Sequence, residues 1–130
     1  QLAAEHLLKE GKEKSSIYFD SILSVNLSFL ASPNFSMKEF AIEGIRNLAL
    51  SKPERFNDKI PEFISSLIEL AQSNEDDSEL VKTILCAIGA LSDIFISNYD
   101  FTSVIPILLK LVQNSKPYSS YALSDIIYIM

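Results

Sequence analysis

Few side chains in this sequence are suited to chemistry, and their spacing decides what they can do. There is one histidine and one cysteine. His6 stands in a charged stretch, and a single imidazole without a partner makes neither a zinc site nor a catalytic triad. Cys86 lies in the longest apolar run, Ile84 to Leu91, with no base identifiable beside it. It reads as a small hydrophobe rather than a nucleophile. The run Glu75-Asp76-Asp77-Ser78-Glu79 gathers carboxylates, but in a loop and a first helical turn with no second acidic cluster to face it. It reads as a solvated helix cap, not a metal site. No glycine-rich phosphate loop occurs. Ser-Lys-Pro at Ser51 to Pro53 and at Ser115 to Pro117 reads as a helix stop in both places. One grouping remains. Tyr118, Tyr121, Asp125 and Tyr128 recur at helical spacing, and three aromatic faces around a carboxylate suit a lysine or arginine, at about 0.5–2 kcal/mol per cation–π contact. The alternative is that the tyrosines roof the last layer of the core with their hydroxyls in water.

The elements that hold these residues follow from composition and period. A chain of 130 residues, 48% hydrophobic and 22% charged, suits one compact domain and excludes disorder. At this length folding hides roughly 68–70% of the surface of the unfolded chain, so neither disulfide nor structural metal is needed. No cofactor is expected. A formal net charge of −6 repels a phosphate backbone and argues against nucleic-acid binding. The run Ile84 to Leu91 falls far short of the ~18 residues of a membrane span, and the N-terminus has no signal pattern. These features predict a cytoplasmic protein, with the nucleus as an alternative. The chain opens on Gln1, which raises the expectation that it is a piece of a longer polypeptide.

Scarce glycine and the absence of alternating apolar and polar runs argue against strands. Apolar residues recur instead every three or four positions. Leu2, Ala3, Leu7 and Leu8 mark a first amphipathic helix ending near Gly11. A second runs from about Ser16 to Ala31 with Ile17, Phe19, Ile22, Leu23, Leu27 and Leu30 on its apolar side, closed by Pro33. Ser36 and Glu39 form a capping box that predicts a helix from Met37, with Phe40, Ala41, Gly44, Ile45 and Leu48 inward and an end before Pro53. Pro61 opens a stretch with Phe63, Ile64, Leu67, Ile68, Leu70 and Ala71. Asp77 or Ser78 caps a helix reaching about Ile96 that is apolar nearly all round, so it needs neighbours on most sides. Asn98 to Thr102 turns into Val104 to Val112, and a last helix starts near Ser119.

The elements pair, and the pairs repeat at about forty residues. Leu67 to Gln72 aligns with Leu108 to Gln113 and, more loosely, with Leu27 to Ser32. The second helices align as Gly44 to Ala49, Ala87 to Ser92 and Ala122 to Ile127, each opening on a small residue that allows close helix approach. A lone pair cannot bury its apolar faces, whereas three stacked pairs make a continuous core. On these residues the stretch Phe40 to Ala49 resembles the last helix of an armadillo repeat. Asp77 to Lys82 with Ala87 and Leu91 resembles a HEAT repeat about as well. The resemblance implies an all-α, right-handed solenoid of stacked helical pairs. Its repeats fall at roughly 16–52, 58–98 and 102–130, after an N-terminal helix. A VHS-like or polymerase-tail-interacting helical domain is the rival fold.

In armadillo proteins the last helices line a groove, and their asparagines bond the main chain of an extended peptide. That asparagine slot holds Asn47, Ala90 and Asp125, and the tryptophan slot four residues earlier holds Glu43, Cys86 and Tyr121. The departures argue against tight gripping of the importin kind. The resemblance implies a non-enzymatic adaptor or scaffold. Its partner face would run through Glu43, Asn47, Cys86, Ala90, Asp93, Tyr118, Tyr121, Asp125 and Tyr128, and the acidic balance favours a basic or apolar protein or peptide. The alternative is a structural segment of a larger solenoid. Ile126, Ile127, Ile129 and Met130 predict apolar surface on the last helix in more than one direction, which invites self-association.

Overall fold

A computed structural model of the chain describes residues 17–130. The expected helix from Leu2 to Gly11, His6 and the start signal at Ser15 or Ser16 lie outside the described residues. All regular structure among those described is helical. Helix α1 covers residues 17–30, followed by α2 (Phe35–Ser51), a single turn α3 (Pro53–Phe56) running through a 3₁₀ turn at Asn57–Lys59 into α4 (Ile60–Ser73), and α5 (Ser78–Phe95). A second 3₁₀ turn, Phe101–Val104, leads into α6 (Ile105–Gln113) and then α7 (Ser119–Ile129). No helix among the described residues is long and apolar enough to cross a membrane.

The boundaries follow local chemistry. Asp77 caps α5 as expected, its Oδ1 accepting the Leu80 amide at 3.3 Å. Pro61 and Pro106 stand in first turns, where a missing amide costs nothing. The start of α2 differs from the expected capping box. Asn34, extended at φ −81° and ψ 122°, accepts the Met37 amide at 3.2 Å, so the helix begins at Phe35 and Ser36 is already inside it. Asparagine caps as well as serine does, and the earlier cap wins by lengthening the helix. Between α6 and α7 the chain passes through Ser115 at φ 54°, a left-handed position.

Helix α5 is the shared plank. It packs on α2, α4 and α7, while α6 packs on α7. Its Leu80, Val81, Ile84, Leu85, Ala87, Ile88, Leu91 and Phe95 are all buried, so the helix read as apolar nearly all round is central. The turn α3 brings Phe56 into this core, its ring 5.8 Å from Phe63 and 6.1 Å from Phe95. Pro53 ends α2 as expected but starts the next turn at once.

Two inward assignments are corrected. In α1 only the row Phe19, Leu23, Asn26 and Leu30 is buried, and Ile17, Ile22 and Leu27 are exposed. Asn26 belongs to the buried row because α2 offers Gly44 opposite it: a Cβ at Gly44 would lie 2.7 Å from Asn26 Oδ1. In α2 Phe40 is 61% exposed and Ile42 is buried in its place, because the core-facing arc is centred on Ala41, Ile45 and Ala49.

The acidic loop before α5 has a structural use. Glu75 pairs with Lys110 at 3.9 Å and Asp76 with Lys116 at 3.5 Å, so this loop clasps the region around α6. Among the described residues no cluster of His, Cys, Asp and Glu suits a metal ion.

Candidate functional site

With α2, α5 and α7 packed in sequence, the open side of this layer is a strip crossed by three helices. On α2, Glu43 and Asn47 are exposed, flanked at three-residue steps by exposed Phe40 and Leu50. On α5, Cys86 and Asp93 are exposed and Ala90 half-buried. Cys86 is therefore a surface thiol rather than a core hydrophobe, because the buried arc of α5 stops at Leu85 and Ala87 on either side of it. On α7, Tyr121 and Tyr128 are exposed and Asp125 lies between them, half-buried.

Tyr118 does not belong to this strip. It is the N-cap of α7 and is fully buried, its hydroxyl donating to the Glu75 carbonyl at 2.8 Å and accepting from Asn114 Nδ2 at 3.0 Å. Helical spacing groups it with Tyr121 and Asp125, but it also stands four residues before Ala122, and as the N-cap it joins the buried row of Ala122, Ile126 and Ile129.

The seam between α5 and α7 carries the electrostatics. Lys82 Nζ stands 5.8 Å from the Tyr121 ring centroid and 3.6 Å from Glu79. At the other end of the seam the Tyr128 hydroxyl donates to Asp93 Oδ1. That bond holds the Tyr128 proton above the ordinary phenol range. Between them Asp125 presses on Gly89, where an added Cβ would lie 2.8 Å from its Oδ1. Its Oδ2 is buried without a hydrogen-bond partner among the described residues. Burial raises its pKa from 3.8 to about 7, because desolvation penalises the charged carboxylate.

The structure thus brings together Glu43, Asn47, Cys86, Ala90, Asp93, Tyr121, Asp125 and Tyr128 and removes Tyr118. Sequence reasoning missed Phe40, which it placed inward although Phe40, Glu43, Asn47 and Leu50 share one helical spacing. It also missed Lys82, whose place over Tyr121 no local pattern announces. Chemically the strip offers aromatic faces, carboxylates and a side-chain amide that both donates and accepts. Compared with family models, curated proteins and solved structures, the chain matches none.

Proposed function

We propose that this chain is a non-enzymatic protein-interaction module, an adaptor or scaffold that receives an extended segment of a partner on the open face of α2, α5 and α7. The observation that carries this reading is the exposure of Phe40, Glu43, Asn47, Cys86 and Tyr121 on three helices packed in succession, with acids and tyrosines beside them. The fold it rests on is an armadillo- or HEAT-type right-handed solenoid of about three repeats in one domain. Support for it comes from the pairing of α4 with α5 and of α6 with α7, and from the second helices packing in succession. The excess of acids favours a basic or apolar segment. An exposed free thiol suits a reducing compartment, the cytoplasm or nucleus.

Cys86 is the sole cysteine of the chain and lies on the proposed face, so it supplies the test. Random peptides displayed on phage are selected against the full chain, then rebound after Cys86 is capped with a bulky maleimide. Capping should abolish binding, and the same cap on Ser65→Cys in a Cys86→Ser background, on exposed α4 surface, should not. The reverse pattern would move the site to the other layer.

A second reading, a structural segment that associates with further copies or repeats, is favoured by the outer row of α7. There Ile127 is 66% exposed and Met130 86%, beside exposed Leu123. Light scattering across a concentration series tests it, and a monomer at all concentrations would argue against it.

A further inference from the structure

The exposed apolar residues of α1 lie in a row of their own. Tyr18, Ile22 and Val25 are exposed and Phe29 half-buried, at four- and three-residue spacing. Each precedes by one residue a member of the buried row Phe19, Leu23, Asn26 and Leu30, so the row is turned about 100° from the core. The residues one position later face the opposite way: Asp20 pairs with Arg55 of α3 at 3.7 Å, and Leu27 lines a cleft with Leu70 and Glu69 of α4.

The meeting point of α1 and α2 fixes where the exposed row looks. The helices touch at Asn26 and Gly44, and the buried residues lie to one side of that contact, Phe19, Leu23 and Leu30 in α1 and Ala41 and Ile45 in α2. Ile22, Val25 and Phe29 therefore flank the contact on its other side, as do Phe40 and Asn47 of α2. The strip described above continues onto α1. Its character changes along the way. The α1 row carries no charge, and its neighbour on α2 is Phe40. The far half carries Glu43, Asp93 and Asp125, none in an ion pair with a described residue, and the Tyr121 and Tyr128 rings; Lys82, over Tyr121, is paired there with Glu79, and Asp93 accepts the Tyr128 hydroxyl.

We infer that the α1 row is the apolar half of one two-part docking face, whose occupant is an extended protein segment with an apolar anchor over α1 and a lysine or arginine over the seam between α5 and α7. This rests on the proposed function and adds the partner's chemistry and spacing. Charge complementarity assigns the basic end, since among the described residues Glu43 and Asp93, with no ion-pair partner, lie on that half. Packed helices stand about 8–10 Å apart, so α1 to the far seam is roughly 20–25 Å, or some six or seven residues of extended chain at about 3.3 Å each.

The test uses phage-displayed random peptides long enough to cross all four helices, selected on the full chain. Selected sequences should pair an apolar cluster with a Lys or Arg some six or seven residues away. Ile22→Asp or Val25→Asp, both at exposed positions, should weaken such a peptide about tenfold or more, with the thermal transition unchanged. The same peptide with its apolar cluster replaced by alanine should bind the wild type and the Ile22→Asp variant equally. Peptides blocked by capping Cys86 yet indifferent to both α1 variants would overturn the inference and leave the α2, α5 and α7 face standing. Selection that yields no peptide sensitive to the Cys86 cap would overturn both.

Discussion

Asp125 ties the protein's stability to proton concentration. Its pKa is about 7 in the fold against 3.8 unfolded, so between those values the native state binds more protons than the unfolded chain. Stability from this group is therefore full below about pH 4 and is lost as pH rises to about 7. Asp125→Asn keeps the shape of the protonated acid. The difference in Tm, variant minus wild type, should grow from pH 4 to pH 7.5, and a difference independent of pH would show that the carboxyl does not titrate in that window. At Gly44 the expectation is steric. A methyl there must displace Asn26, which is buried and donates to the Ile22 carbonyl at 2.9 Å. Gly44→Ala should cost about 1–3 kcal/mol of overpacking, offset by ~1 kcal/mol of helix propensity, and denaturant unfolding should show the cost vanish in an Asn26→Ala background. At this scale the sequence was half legible. A tyrosine's identity says nothing about which side of its helix meets the core, and so Tyr118 read like Tyr121 and Tyr128. The Asp125 environment was unreadable because Gly89, the residue that admits it, lies thirty-six positions away and on another helix.

Element boundaries were the most legible part, since prolines and caps act locally. Pro33, Pro53, Pro61 and Pro106 each bound or open a helix near where the spacing places it. The start of α2 discriminates between two local rules. Asn34→Ala should cost about 1 kcal/mol, whereas Ser36→Ala should be nearly neutral, by thermal melts of the two variants. The reverse order would restore the Ser36 capping box. Ser115 holds a left-handed backbone that a Cβ disfavours, so Ser115→Gly should leave stability unchanged or raise it by up to about 1 kcal/mol. Facial assignments were less legible. Ile17, Ile22 and Leu27 were read as inward because a helix with apolar residues in three rows does not say which row has neighbours. That is settled by Gly44 on the next helix.

Across the molecule, two loops that follow α4 and α6 are held together. Tyr118 reaches the Glu75 carbonyl, with Lys110 and Lys116 on Glu75 and Asp76 beside it. Tyr118→Phe leaves that half-buried carbonyl without the hydroxyl and should cost about 1–3 kcal/mol, while the exposed ion pairs should contribute little each. A denaturant midpoint unmoved by Tyr118→Phe would show that water replaces the hydroxyl. The helices were visible in the three- and four-residue period of apolar positions, but the order in which they pack is set by long-range contacts that no local pattern encodes. That order has a consequence for how the molecule opens. With α5 held by three helices and α7, among the described residues, exposed along Leu123, Ile127 and Met130, backbone amides should not exchange with deuterium at one common rate. The interior amides of α5 should exchange slowest, through complete unfolding alone, and those of α7 through a cheaper partial opening that releases the last helix first. The described helices would then open as coupled units of unequal stability rather than all at once.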